Sequence, residues 1–241
     1  MNSNHSIKAI FFDLDGTLRH NVPSAYEILN AYLSEHGISI SPENHLKAMR
    51  WEYSYWASSA DLRDDIIAHS MDTDQFWTEY TKRRLLALNL SLEQSTEFAP
   101  KVSKHMGESY KPESTVPDDV RRVLLELKQS GYTMAVISNR DRPFQDVLES
   151  HGISKFFDFS LAGGDVDIYK PDPGIFEHAL QRANLAAQET VYVGDNYFAD
   201  VIGSRRAGLQ PVLYDPDGIF SDVDSTIIKS FDELHSVVKD M

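Results

Sequence analysis

Hydrophobic residues along this chain fall into two regimes. From about Thr133 onward, short apolar runs alternate with segments of helical periodicity. The runs are Thr133 to Ser138, Phe159 to Ala162, Thr190 to Gly194 and Pro211 to Tyr214, and the periodic segments are Asp118 to Ser130, Pro143 to His151, Pro173 to Asn184 and Phe198 to Ala207. Each run is β-branched, aromatic or aliphatic and ends near a turn or a polar residue, as strands buried on both faces do. Gly131, Gly152 and Gly208 stand where helix C-terminal glycines belong. Ile7 to Phe12 supplies one further strand. This alternation predicts an α/β fold, a doubly wound parallel sheet covered by helices on both sides.

Between the first strand and the rest, the pattern changes to a helical period with no convincing strand. Ser24-Ala25-Tyr26-Glu27 reads as a capping box opening a helix that stops at Gly37. Ser41-Pro42 opens a second helix with proline at its first position. Asp74 to Leu90 and Ser91 to Met106 continue the pattern. The expectation is an all-helical insert over residues 19–111, with the α/β unit built from 1–18 and 112–241.

Composition narrows the function. The 241 residues carry 41% hydrophobic and 25% charged positions, an ordinary globular balance. A net charge of -14 argues against nucleic acid and anionic membrane surfaces, since Lys82-Arg83-Arg84, Arg121-Arg122 and Arg205-Arg206 are too scattered to form a basic face. With no cysteine there is neither a disulfide nor a thiolate site. The N-terminal apolar run is short and closes on Asp13, unlike a signal peptide, and no stretch approaches a membrane span. The expected location is cytoplasmic.

Candidate chemistry collects where strands end, since ligands of open parallel sheets bind at the carboxyl edge. The first strand ends in Asp13-Leu14-Asp15-Gly16-Thr17, the next in Ser138-Asn139, and a later one in Gly194-Asp195, followed by Asp200. Lys170-Pro171-Asp172-Pro173 follows the strand ending at Ala162. Asp-Gly alone is a turn signal, and the spacing does not fit an EF-hand loop. Gathered at one rim, however, these residues offer carboxylates for Mg²⁺, which prefers oxygen ligands, and a hydroxyl, an amide and a lysine for a phosphate.

Asp13-Leu14-Asp15-Gly16-Thr17, Ile137-Ser138-Asn139, Lys170-Pro171-Asp172-Pro173 and Gly194-Asp195 with Asp200 together resemble, in order and spacing, the four motifs of the haloacid dehalogenase superfamily of phosphohydrolases. The helical insert is similar to that family's C1-type cap. The resemblance implies a Rossmann-like core and a Mg²⁺-dependent phosphatase acting on a small phosphate ester. It implies Asp13 as nucleophile, Asp15 as general acid and base, and Ser138, Asn139 and Lys170 around the phosphoryl group. It further implies a metal held by Asp13, the Asp15 main-chain carbonyl and Asp195, with Asp200 supporting the metal or Lys170 from behind.

Other readings bear on these residues. A dehalogenase of the family lacks the second carboxylate, and a phosphonate hydrolase has alanine where Asp15 stands. A phosphosugar mutase keeps all four motifs, and a catalytically silent binding protein could share the fold. Asp200 reads equally well as a helix first-turn acid, Asn139 as a residue that orients a loop, and Asp172 as a helix N-cap. Trp51, Tyr53, Tyr55 and Trp56 read as the core of the helical insert or its interface with the α/β unit, with substrate stacking the lesser reading. Arg19 and His20 follow the first motif and could meet a leaving group.

Overall fold

The computed structural model describes residues 6–241; residues 1–5, assigned above to the α/β unit, lie outside them. The chain divides into two units. One takes the residues up to His20 together with Thr115–Met241, and the other takes Asn21–Ser114. At their junction run two short strands paired with each other, β2 (His20–Val22) and β3 (Glu113–Thr115). This corrects the reading of 19–111 as free of strands: His20-Asn21-Val22 is too short and too polar to show a strand pattern.

The α/β unit is built on β1 (Ala9–Phe12), β4 (Thr133–Ser138), β5 (Phe159–Ala162), β6 (Thr190–Gly194), β7 (Gln210–Tyr214) and β8 (Thr226–Ile228). They form one parallel sheet in the order β5-β4-β1-β6-β7-β8. Its helices are α6 (Asp118–Gln129), α7 (Gln145–Ser150), α8 (Gly163–Val166), α9 (Pro173–Ala183), α10 (Ile202–Arg206) and α11 (Leu234–Lys239). The alternation of side chains along β1 explains why both faces are covered. Ile10 and Phe12 enter a cluster with Val120, Val123, Leu124 and Leu127 of α6 and Leu234 of α11. Ala9 and Phe11 enter a second cluster with Ile175, Phe176 and Ala179 of α9. Truncating either phenylalanine to alanine removes one face's anchor, a change that costs about 3–5 kcal/mol in cores of this kind.

Local signals fix the helices. Asp172 caps α9 by accepting from the Gly174 N–H at 2.8 Å, Pro173 takes its first position, and Asn184 closes it in the left-handed conformation. The apolar positions of α6 recur at the helical spacing that buries one stripe. The segment predicted as a helix from Phe198 departs from expectation. It begins as a π-helical turn over Tyr197–Val201 and becomes α-helical only at Ile202.

The second unit holds α1 (Ala25–Glu35), α2 (Pro42–Trp56), α3 (Ala60–His69), α4 (Asp74–Ala87) and α5 (Leu92–Ser109). Leu29, Leu33, Ala48, Leu85, Leu88, Ala99 and Val102 form one cluster, and Tyr55, Leu62, Phe76 and Tyr80 a second. Trp51 and Trp56 pack against the second, so these members of the aromatic group belong to this unit's interior. No helix among the described residues is long and apolar enough to cross a membrane.

Candidate functional site

Because the sheet is parallel, the carboxyl ends of its strands share one edge. β1 is central, with β4 and β6 on either side, the topological position where such sheets open a crevice. Asp13 directly follows β1, and its N–H donates to the Val193 carbonyl of β6 at 2.8 Å. Ser138 ends β4 in a buried position, and Asp195 follows β6.

Lys170 is the centre of the arrangement. Its buried ammonium donates to Asp13 Oδ1 at 2.6 Å, to Asp200 Oδ1 at 2.7 Å and to the Tyr192 hydroxyl oxygen at 3.0 Å. Tyr192 in turn donates to the Ile137 carbonyl at 3.1 Å. Burial opposes the lysine's charge, but Asp13 and Asp200 hold it protonated well above the ordinary lysine value. The loop carrying Lys170 is fixed by Asn139, whose side chain donates to the Lys170 carbonyl at 2.9 Å and accepts from the Lys170 N–H at 2.7 Å. Asn139 thus uses its amide on the lysine's main chain.

The carboxylates are unequal. Asp200 is fully committed: Lys170 takes one oxygen, and the Asn196 N–H donates to the other at 2.9 Å. The π-helical turn brings it there, so it faces the lysine rather than solvent. Asp13 gives only Oδ1 to Lys170, and Asp195 Oδ1 accepts from the Thr17 hydroxyl at 3.1 Å. Oxygens of Asp13, Asp195 and Asp200 lie within 4.8 Å of one another, close enough to hold a metal ion. Three carboxylates against one ammonium leave an excess of negative charge. Burial, assisted by Asp200 and Asp15 and opposed by Lys170, pushes the Asp13 carboxyl up to about 7. A divalent cation fits this donor set, because it would supply the missing positive charge through hard oxygen ligands.

Two glycines make the close packing possible. Gly16 has φ +93°, and a Cβ there would lie 2.2 Å from Asp195 Oδ2. A Cβ on Gly194 would lie 2.4 Å from Asp200. Any side chain at either position would displace a carboxylate.

Asp15 stands apart from the buried group, with its side chain 45% exposed. Arg140 Nε and Nη2 donate to its two oxygens at 2.9 and 3.1 Å, and Arg19 Nη1 donates to Oδ1 at 2.5 Å. Arg19 therefore meets the second carboxylate, whereas His20 packs edge-on to Tyr214. Arg140 and Tyr192 belong to none of the four sequence motifs. An arginine after a strand reads as a solvated loop charge and a tyrosine in a strand as core; only Arg140, directly after Asn139, has a position that hints at more.

Comparison with known proteins gives this geometry its context. A model of the haloacid dehalogenase-like hydrolases matches residues 7–208. The human protein named haloacid dehalogenase-like hydrolase domain-containing protein 3 is 28% identical over 212 residues, covering 86% of this chain and 81% of that protein. A phosphoglycolate phosphatase of Vibrio cholerae is also 28% identical over 212 residues, covering 84% and 82%. Among solved structures, a haloacid dehalogenase from Pseudomonas syringae superposes with a TM-score of 0.54 at 24% identity, over 96% of this chain and 98% of its own. That last likeness concerns the fold alone.

Proposed function

The chain belongs to the haloacid dehalogenase-like hydrolases, and on that premise we propose that it is a Mg²⁺-dependent phosphatase hydrolysing a small phosphorylated metabolite through an aspartyl phosphate on Asp13. The observation that carries the reading is buried Lys170 held between Asp13 and Asp200 in a three-carboxylate cluster. An anionic nucleophile and a phosphate repel one another, and this arrangement supplies the means of overcoming that repulsion. The relative named as a phosphoglycolate phosphatase supports phosphate esters as the substrate class. The second carboxylate, Asp15, supports phosphate transfer over dehalogenation.

In this reading an Asp13 oxygen attacks phosphorus while the bond from phosphorus to the leaving oxygen breaks, and Asp15 gives its proton to that oxygen. Water then attacks the phosphorus, Asp15 takes the water's proton, and the bond to Asp13 breaks to release phosphate. Arg140 and Arg19 orient Asp15. Ser138 binds the phosphoryl oxygens, and Lys170 joins it by exchanging one of the three contacts its ammonium makes in the free site, with Asn139 holding the lysine loop. Asp13, Asp195 and the Asp15 main-chain carbonyl would hold Mg²⁺, and Asp200 supports Lys170. The metal would offset charge on the transferring group.

Phosphate release from an aryl phosphate, measured in EDTA and with Mg²⁺ restored, tests the proposal. Release only with Mg²⁺ supports it. Full activity in EDTA, or no release under either condition, contradicts it.

A further inference from the structure

The helical unit holds a half-open cavity of about 470 Å³ between α1, α2, α4 and α5. That volume falls within the range of small-molecule sites. Its wall is largely apolar, with Leu29, Trp56, Trp77, Leu85 and Met106 among the residues facing it. Two charged residues interrupt this lining. Arg84 Nη2 pairs with Glu52 Oε2 at 3.0 Å, and the Tyr80 hydroxyl donates to Glu52 Oε1. Trp56 Nε1 donates to the Tyr80 oxygen at 3.4 Å.

The balance of donors and acceptors is uneven. Both oxygens of Glu52 have partners, whereas the Arg84 guanidinium has five N–H groups and Glu52 is its one carboxylate partner among the described residues. Arg84 is only 9% exposed, and no nitrogen of it is a buried atom without a partner, so the N–H groups that Glu52 does not take are open to the cavity and its water. An acceptor inside the cavity would complete it. That acceptor should be neutral: the Arg84–Glu52 pair is already balanced, and a second anion would be a buried charge without a counterion.

We infer that this cavity is a binding site for a neutral, ring-bearing small molecule whose hydroxyl or carbonyl oxygen meets Arg84 while its apolar body lies against Trp56, Trp77 and Leu85. The inference is independent of the phosphatase reading. Gly107 gives it a clean test, because this glycine lines the cavity, lies within α5, and a Cβ built on it meets nothing within 4 Å. A leucine there enters open space and favours the helix.

The test uses the full chain and naphthol as probe, with naphthoate and naphthalene as the charged and oxygen-free controls. The chain has three tryptophans, so their indole N–H signals can be followed individually by NMR. Naphthol should shift the Trp56 and Trp77 signals saturably and leave Trp51, which is not part of the lining, in place. It should bind roughly tenfold more tightly than either control, the discrimination expected when a buried donor is left unpaired. Gly107→Leu should abolish the shift without lowering the melting temperature, and Ser103→Leu serves as a second blocking variant. No saturable shift, unchanged binding in both folded variants, or equal affinity for all three probes would overturn the inference.

Discussion

The two units bury charge in opposite ways. In the α/β unit, Asp13 and Asp195 stand directly after β1 and β6, Asp200 lies in the π-helical turn that follows β6, and Lys170 comes from the loop after α8, so three segments supply the buried group. In the helical unit, Glu52 and Arg84 project from the interiors of α2 and α4, and Asp65 of α3 accepts from the buried Tyr55 hydroxyl. The first arrangement keeps an excess of negative charge that invites a cation. The second is closed pairwise by Arg–carboxylate contacts. The difference is between a cluster left with net charge and pairs that are neutral in themselves.

Substitutions can break that comparison. The largest effect is expected at Lys170. Lys170→Met leaves Asp13 and Asp200 without their shared cation, and kcat for aryl phosphate hydrolysis should fall by about 10²–10³-fold, the loss typical of removing one transition-state charge partner. A change of less than a few-fold would mean that the lysine only fills the core. Next is the metal edge. Asp195→Ala should raise the Mg²⁺ concentration for half-activity by about 10–100-fold, the scale of losing a group that positions a metal. Gly16→Ala, whose Cβ would collide with Asp195 Oδ2, should act in the same direction. Mg²⁺ titrations of both variants check this, and a wild-type midpoint in each would remove Asp195 from the metal site.

Arg140 sharpens the assignment of Asp15. Arg140→Gln removes the two-pronged contact with Asp15. It should lower kcat by about tenfold with little change in the Mg²⁺ midpoint, an acid–base effect of the lower order. A shift in metal affinity with kcat intact would transfer Arg140 to the metal side of the site.

What the sequence disclosed follows the same division. The strand-end residues were legible because each follows an apolar run and is held by short-range geometry, so β4, β5 and β6 have the predicted limits and Asp172 caps its helix. Less was legible where a long-range partner decides the outcome. Nothing local tells that Asp200 will turn back through a π-helical turn to meet Lys170, or that Arg140 will reach Asp15. In the helical unit α3 carries no legible pattern because Asp65 occupies its inner face while Ile67 is 84% exposed, which inverts the usual arrangement. β8 is equally illegible, a three-residue edge strand behind a stretch rich in aspartate.

The smallest effect belongs to the helical unit. Burial, with Arg84 nearby, lowers the His45 imidazole to about 4 from an ordinary 6.5. The unfolded chain therefore binds the proton first, so stability is complete above about pH 6.5 and declines as pH falls toward 4. Thermal melts across that window should show a shallower decline in His45→Gln than in the wild type. Parallel profiles would remove His45 as the source.

The most direct test of the account is to trap the phosphoryl group itself. Enzyme with Mg²⁺ is mixed with a radiolabelled phosphate ester, quenched in acid during turnover, and digested to locate the label. The account predicts acid-stable label on the peptide containing Asp13 and its loss, together with turnover, in Asp13→Asn. Phosphate release that continues undiminished in Asp13→Asn, or label on a different residue, would contradict it.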